Sequence, residues 1–480
     1  MKQNVIVGRE KEQLALQRCM ESDRSELVVV YGRRRVGKTF LIDQYFKGNF
    51  DFTFVGDHNL TQRIQLRFFS KALKSRMGVK RLSPLKDWFD AFDALEAYLE
   101  SLPHDRKKVV FIDEMPWIDS LKSSFVQAFE NFWNGWAARR NDIVFIATGS
   151  ATSWMIDKLV ENQGGLHARI TCHLYLRPFT LNETEQYVRS RMCEWDRFQI
   201  AQCYMCFGGV PFYLSLLDFR QSLAQNIDNL CFTKGGALHR EFDELFNALF
   251  IHADQYVQVV KVLSEHRYGM TKKEISEATK IGGGKLSKII TNLERCDFVV
   301  KFRYYGKKSQ DSIYRLTDFF TLFYFKYIEP NVSSFDENWW SHHLSSPSVA
   351  AWQGLSFELL CLMHLPQIRK TLGISGVVTN VSAWFCKGDS ETGKRGGQID
   401  LIIERADRII HLCEMKFSQA PFKITSDYEM RLRERMGLFQ YHTKTTKSLV
   451  NTFITTFGVS NGKHLSIVHS EVILDNLFQA

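Results

Sequence analysis

Gly32-Arg33-Arg34-Arg35-Val36-Gly37-Lys38-Thr39 is the stretch of this chain whose residue types most directly imply chemistry. Two glycines let the backbone curl so that successive amides face an anion, a lysine adds a full positive charge, and the next hydroxyl can ligate a divalent cation. The preceding run ELVVVYG (26–32) is apolar and β-branched, and KTFLIDQYF (38–46) carries apolar residues at helical spacing. This pattern predicts a strand, a tight loop and a helix whose N-terminal dipole favours phosphate. Lys38 is expected on the β- and γ-phosphate oxygens and Thr39 on Mg²⁺. Gly32, Arg33, Arg34, Arg35, Val36, Gly37 and Phe40 complete the expected nucleotide contacts.

A second element belongs to the same chemistry. Val109-Val110-Phe111-Ile112-Asp113-Glu114 is an apolar run ending in two carboxylates. Asp113 is placed to hold the Mg²⁺ shell and Glu114 to polarise an attacking water, which implies hydrolysis as well as binding. The next apolar run ends in Thr148-Gly149-Ser150, where Ser150 either senses a γ-phosphate or merely makes a turn.

With these motifs in view, the first 250 residues resemble the archaeal-type ATPases of the AAA/STAND branch of P-loop NTPases. The resemblance rests on GRE at 8–10, GRRRVGKT, FIDEMPW at 111–117, TGSATSWM at 148–155 and GGVPFYL at 208–214. It implies ATP and Mg²⁺ as cofactors, self-association through the ATPase domain, and adenine contacts from Gly8, Arg9, Gly209 and Pro211. Arg169 stands where relatives carry an arginine directed at the γ-phosphate, although an ordinary surface arginine fits the sequence as well.

These residues need a scaffold. Further buried-strand candidates at 51–56, 107–114, 142–150 and 173–179 alternate with helical stretches, the pattern of a parallel sheet covered on both faces. The expected fold class is therefore α/β, with a P-loop ATPase domain at 1–180. Residues 181–250 turn helical and read as a lid. Residues 251–330 read as three short helices and a β-hairpin, a winged helix-turn-helix. Within 255–330, fourteen Lys/Arg stand against eight Asp/Glu, so most of the chain's net charge of +9 sits in this segment. Lys285, Lys288 and Arg295 on the recognition helix of that motif, with Lys307 and Lys308 on the wing, are the candidate phosphate contacts to DNA. The alternative is an internal spacer that holds the nucleotide domain closed.

The last segment, 335–480, reads as a separate α/β domain. Asp400 lies in GGQIDLII and is followed by a strand carrying Glu414 and Lys416, whose side chains face the same side. A hairpin through RADR would bring Asp400 beside them. Two carboxylates holding Mg²⁺ and a lysine beside a water are the parts for phosphodiester hydrolysis. The D…E-x-K arrangement resembles the PD-(D/E)xK nuclease superfamily, with Glu358 matching its helical glutamate and metal ligand and Gln440 its accessory glutamine. Asp400, Glu414 and Lys416 are the implied catalytic residues; a domain that keeps this fold without cleaving is the alternative.

Composition bounds these readings. Charged residues at 24% and only nine prolines exclude a disordered or fibrous chain. Ten scattered cysteines read as reduced thiols, and no apolar run approaches the length of a membrane span, so a cytoplasmic protein without a membrane partner is expected. Cys203-x-x-Cys206 has metal-ligand spacing but lacks a second pair. The combined expectation is an ATP-driven switch coupled to a nuclease-like domain acting on nucleic acid. Its competitor is an ATP-regulated signalling or DNA-binding protein with an inert C-terminal domain.

Overall fold

The computed structural model describes the chain apart from residues 1–4, 59, 121, 151, 162–163, 167, 308–311, 334–335 and 389–395. The chain divides into two compact units, Met1–Pro178 and Phe179–Ala480.

In the first unit, β1 (Glu26–Tyr31), β2 (Phe52–Val55), β3 (Lys108–Asp113), β4 (Ile143–Gly149) and β5 (Cys172–Tyr175) pair in parallel in the order β2-β3-β4-β1-β5. Each falls on a run predicted from the sequence. Near-continuous apolarity is explained by alternation into two cores. Leu27, Val29, Val110, Ile112, Phe145 and Ala147 pack against one layer of helices, Gln62–Met77, Trp88–Glu100 and Phe125–Gly135. Val28, Val30, Val109, Phe111, Val144 and Ile146 pack with the helices Glu10–Glu21 and Lys38–Phe46. The loops after β1 and β3 open at the carboxyl edge of this sheet, where α/β proteins bind ligands.

The opposite edge is fixed by charge. Lys108 is fully buried, with its Nζ 2.6 Å from Asp142 Oδ2, and Arg140 adds a second contact at 2.8 Å. Burial opposes the Asp142 charge, but these donors hold the carboxyl below its usual range.

The second unit begins with the helices Leu181–Ser190 and Arg197–Phe207, each started by a capping box, Thr180 with Glu183 and Asp196 with Gln199. Three helices follow, Ala253–Glu265, Lys272–Thr279 and Gly283–Arg295, with β6 (Met270–Thr271), β7 (Val299–Phe302) and β8 (Ile313–Leu316) forming an antiparallel sheet ordered β6-β8-β7. A second sheet, ordered β13-β12-β11-β10-β9, is built from β9 (Thr379–Cys386), β10 (Gly397–Arg405), β11 (Ile409–Lys416), β12 (Ser448–Thr455) and β13 (Ser470–Ile473). It is antiparallel from β9 to β11 and parallel from β11 to β13.

The segments expected as a lid, a helix–hairpin module and a C-terminal domain pack as this one unit. The aromatic run after β8 joins them: Phe319 meets Tyr204, Phe320 meets Tyr213, and Phe323 meets Trp340 and Trp352, with centroids 4.8–5.4 Å apart. The hairpin is anchored too. Tyr304 bridges Ala383 on the edge strand β9, and the Tyr305 amide donates to the Ala383 carbonyl at 2.7 Å. Among the described residues no helix is long and apolar enough to cross a membrane.

His364 lies at the centre of this unit, 1% exposed. Its Nδ1 faces the Leu360 carbonyl at 2.8 Å, and its Nε2 accepts the Leu181 amide at 3.1 Å, a pairing that requires the neutral ring. Burial pushes the imidazole down to about 4. A histidine depressed in the fold stabilises fully above pH 6.5 and loses that contribution as pH falls towards 4. The loss is on the order of 3 kcal/mol. Between pH 7 and 4, urea unfolding of wild type should therefore lose about that much more than unfolding of His364→Gln. Equal pH profiles for the two proteins would contradict the assignment.

Candidate functional site

The phosphate-loop residues come together as the sequence predicts. Gly32 has φ +145°, and a Cβ there would lie 2.2 Å from the Leu176 carbonyl oxygen, so the loop can leave β1 only through glycine. Gly37 adopts φ 87° and caps the helix Lys38–Phe46. Lys38 is buried, its Nζ donating to the Gly32 and Arg33 carbonyls at 3.0 Å each, which sets its charge inside the curl of the loop. Val36 belongs to the core beneath the loop, Arg33 is buried, Arg34 and Arg35 are half-buried, and Phe40 is exposed.

Thr39 Oγ1 donates to Asp113 Oδ2 at 2.9 Å, joining the helix start to the end of β3. Asp113 also accepts from the Thr148 hydroxyl and, at 3.0 Å, from the Glu114 amide. Burial is the main influence on Asp113 and raises its carboxyl above the usual range, the Glu114 charge adds to this, and the hydroxyl donors oppose it. A buried carboxylate whose charge is this poorly compensated, paired with a hydroxyl, fits a divalent cation.

Glu114 follows with φ 47°, a left-handed conformation that an L side chain adopts at a cost of about 1–3 kcal/mol. Both of its carboxylate oxygens are held, by the Ser150 hydroxyl at 2.6 Å and the Ser150 amide at 3.1 Å. Ser150 is thus placed on Glu114 at the end of β4. Gly149 beside it admits no Cβ, which would lie 2.6 Å from Met155 Sδ and 2.7 Å from Pro116.

Arg9 caps the helix Glu10–Glu21 in the left-handed region and is buried. Its Nη2 donates to the carbonyls of Arg177, at 2.6 Å, and Val36, at 3.4 Å. It therefore ties the entry segment to the phosphate loop and to the exit from β5, a bracing role the sequence did not disclose. Gly8 is buried with φ 64°. Arg169 stands exposed before β5. In the second unit, Gly209 accepts the Phe179 amide at 2.8 Å, and Pro211 occupies the first turn of the helix Pro211–Ser215.

The C-terminal carboxylates are arranged differently from the expectation. The β10–β11 register pairs Leu401 with Cys413, so Asp400 and Glu414 sit at adjoining hairpin positions, but β10 carries an irregularity between Ile399 and Ile402. Such bulges re-aim side chains. Asp400 Oδ1 accepts from Gln398 Nε2 at 2.5 Å, and its Oδ2 lies 3.8 Å from Arg267. Arg267 donates to both oxygens of Glu358 at 2.9 Å. Burial and then the Asp400 charge push Glu358 up to about 7 against the pull of Arg267.

Glu414 is buried and met by Arg435 at 2.5 Å, by Lys416 at 2.9 Å and by the Tyr428 hydroxyl. Burial opposes its charge, yet Arg435 and Lys416 bring the carboxyl down to about 2. Among the described residues no group of three metal-ligating side chains forms. As arranged, Glu358, Asp400 and Glu414 do not fit a resident metal, because cationic side chains occupy the positions beside them. Gln440 is exposed. Arg267, Arg435 and Tyr428 were invisible as site residues in the sequence, since only the fold brings them to the carboxylates.

On the helix–hairpin module, Lys285, Lys288 and Lys307 are exposed and Arg295 is half-buried. Lys308 lies outside the described residues. Cys203 and Cys206 are buried thiols on one helix.

A parallel sheet with a glycine-bounded loop, Lys38 and Thr39 on one strand exit and Asp113-Glu114 on another defines a P-loop ATPase. Residues 6–217 match the model of an ATPase domain family described as predominantly from Archaea. The protein is an ATPase, and its N-terminal part is similar to ATPase domains found predominantly in Archaea. Over 405 residues, spanning 83% of this chain and 84% of the relative, it is 23% identical to an uncharacterised protein of Methanocaldococcus jannaschii. The Walker-type ATPase of Pyrococcus abyssi superposes with a TM-score of 0.49 at 17% identity, over 67% of this chain and 96% of that one. The ORC2 protein of Aeropyrum pernix, solved in ADPNP and ADP complexes, gives a TM-score of 0.43 at 14% identity, over 69% and 97%.

Proposed function

We infer that the protein is an ATP-driven switch whose output is a nuclease-like domain acting on nucleic acid. The observation that supports the first half is the cluster of Lys38, Thr39, Asp113 and Glu114 at one edge of the sheet. Lys38 neutralises phosphate charge and keeps the loop closed on the carbonyls of Gly32 and Arg33. Thr39 and Asp113 would hold Mg²⁺, which when bound screens the charge of the phosphate oxygens. Glu114 accepts a proton from the attacking water, and Ser150 orients its carboxylate. Gly8, Arg9, Gly209 and Pro211 remain the proposed adenine contacts, with self-association through the ATPase domain and Arg169 as a γ-phosphate contact.

The second half rests on the C-terminal topology. A hairpin brings Asp400, Glu414 and Lys416 to one end of a sheet, flanked by the helix that carries Glu358. In this reading the three helices and the β6-β8-β7 sheet form a winged helix, and Lys285 and Lys288 give it an exposed basic face for DNA. The anchoring of its hairpin on β9 favours a spacer role as well.

The competing output is an inert docking domain, and the neutralisation of Glu414 by Arg435 and Lys416 favours it. Lys416→Ala separates the two. Loss of metal-dependent cleavage of labelled DNA in that variant supports a nuclease. If the domain is inert, Asp400→Ala leaves the cellular effect intact while Lys38→Ala abolishes it.

A further inference from the structure

Glu358 and Asp400, the two carboxylates that would receive a cation in the C-terminal domain, are bridged instead by one guanidinium. Arg267 Nη2 lies 2.9 Å from both oxygens of Glu358 and 3.8 Å from Asp400 Oδ2. Arg267 comes from the turn between the helix Ala253–Glu265 and β6, outside the C-terminal sheet. That turn is tightly held. The Gly269 amide donates to the His266 carbonyl at 2.8 Å, and Gly269 has φ 82° with room for no Cβ, which would lie 2.7 Å from the Tyr314 carbonyl. A second cation, Arg315 on β8, stands near the same two carboxylates. The two arginines also line a cavity of about 520 Å³, together with Ser356 and Trp352.

We propose that Arg267 is a built-in counter-ion that occupies the cation position of the Glu358–Asp400 pair and keeps divalent metal out. The inference rests on the reading of these carboxylates as a metal site. One Arg267 nitrogen, Nη2, faces both carboxylates, so a full positive charge stands where a metal would otherwise sit. A divalent cation needs the same oxygens at roughly 2.0–2.6 Å, closer than the arginine nitrogen stands, so ion and guanidinium exclude each other.

The test is Mn²⁺ binding to the full chain without nucleotide or DNA, measured by isothermal titration calorimetry, with folding checked by thermal melting. Arg267→Gln should gain about tenfold or more in Mn²⁺ affinity over wild type, because one full positive charge leaves the site. Arg267→Lys, which keeps the charge, should bind as weakly as wild type. The gain must vanish in Arg267→Gln/Asp400→Asn, which removes a ligand and excludes the phosphate site as its source. If wild type already binds Mn²⁺ as tightly as Arg267→Gln, and Asp400→Asn removes that binding, the counter-ion role is overturned while the metal-site reading stands. If neither wild type nor Arg267→Gln binds at this site, both fall. Should Arg267→Gln melt out, Arg267→Met, which removes the charge while keeping an unbranched stem, must show the same gain, and no gain in that variant overturns the counter-ion role.

Discussion

Glu114→Gln protein is expected to bind ATP as wild type does and to turn it over about a hundredfold or more slowly, the loss typical of removing a positioned general base. The substitution keeps the size and hydrogen-bonding reach of the side chain, so the left-handed backbone at this position and the contact with Ser150 need not change. What changes is basicity: an amide cannot take a proton from water. Asp113 is not an alternative base, because its oxygens are engaged by Thr39, Thr148 and the Glu114 amide. Steady-state phosphate release and equilibrium binding of a fluorescent ATP analogue, read on the same preparation, separate the two effects. Normal turnover by the variant would remove Glu114 from the mechanism.

Lys38→Ala should fail one step earlier. The lysine has two functions at once, presenting a charge to phosphate and closing the loop through the Gly32 and Arg33 carbonyls. Losing charge-assisted hydrogen bonds to an anion costs about 2–3 kcal/mol, a roughly 30- to 150-fold rise in Kd for ATP. The thermal stability of the unligated protein should fall by less than that, since Val36 and the neighbouring strand keep the loop seated on the core. Unchanged ATP affinity in Lys38→Ala would contradict the phosphate assignment, whatever happened to turnover.

The grouping proposed as the nucleotide site was legible because it is local. Lys38 and Thr39 follow β1 directly and Asp113-Glu114 end β3, so finding the strands located the site. The pairing of Ser150 with Glu114 was only half visible, because the sequence marks a small polar residue at a strand end without saying what it touches. The bracing contacts of Arg9 were out of reach for a similar reason: its partners, the carbonyls of Val36 and Arg177, carry no side-chain signal. At the C-terminus, the hairpin and Asp400 with Glu414 could be read from alternation. The strand β9 was missed because Thr379–Cys386 mixes polar and apolar residues on both faces, as an edge strand does. Two of the cations beside the carboxylates come from other elements, Arg267 from 91 residues before Glu358 and Arg435 from the helix Ser426–Thr443, 21 residues after Glu414. No spacing rule reaches them.

The helix–hairpin module shows how the same charge admits two readings. Its basic excess suggested DNA contact, yet one of its arginines is spent on internal carboxylates and its hairpin is joined to β9. Lys285 and Lys288 remain exposed on the helix Gly283–Arg295, so charge alone leaves both roles to the module.

The most direct test of the account is the ATP dependence of metal-activated cleavage. Labelled single- and double-stranded DNA would be incubated with Mg²⁺ or Mn²⁺, with and without ATP, comparing wild type, Lys38→Ala and Lys416→Ala. An ATP-driven switch with a nuclease output predicts cleavage by wild type that responds to ATP, loses that response in Lys38→Ala, and is absent in Lys416→Ala. Steady ATP turnover with no DNA cut under any condition would contradict it, and would leave the C-terminal domain as a docking surface controlled by the ATPase.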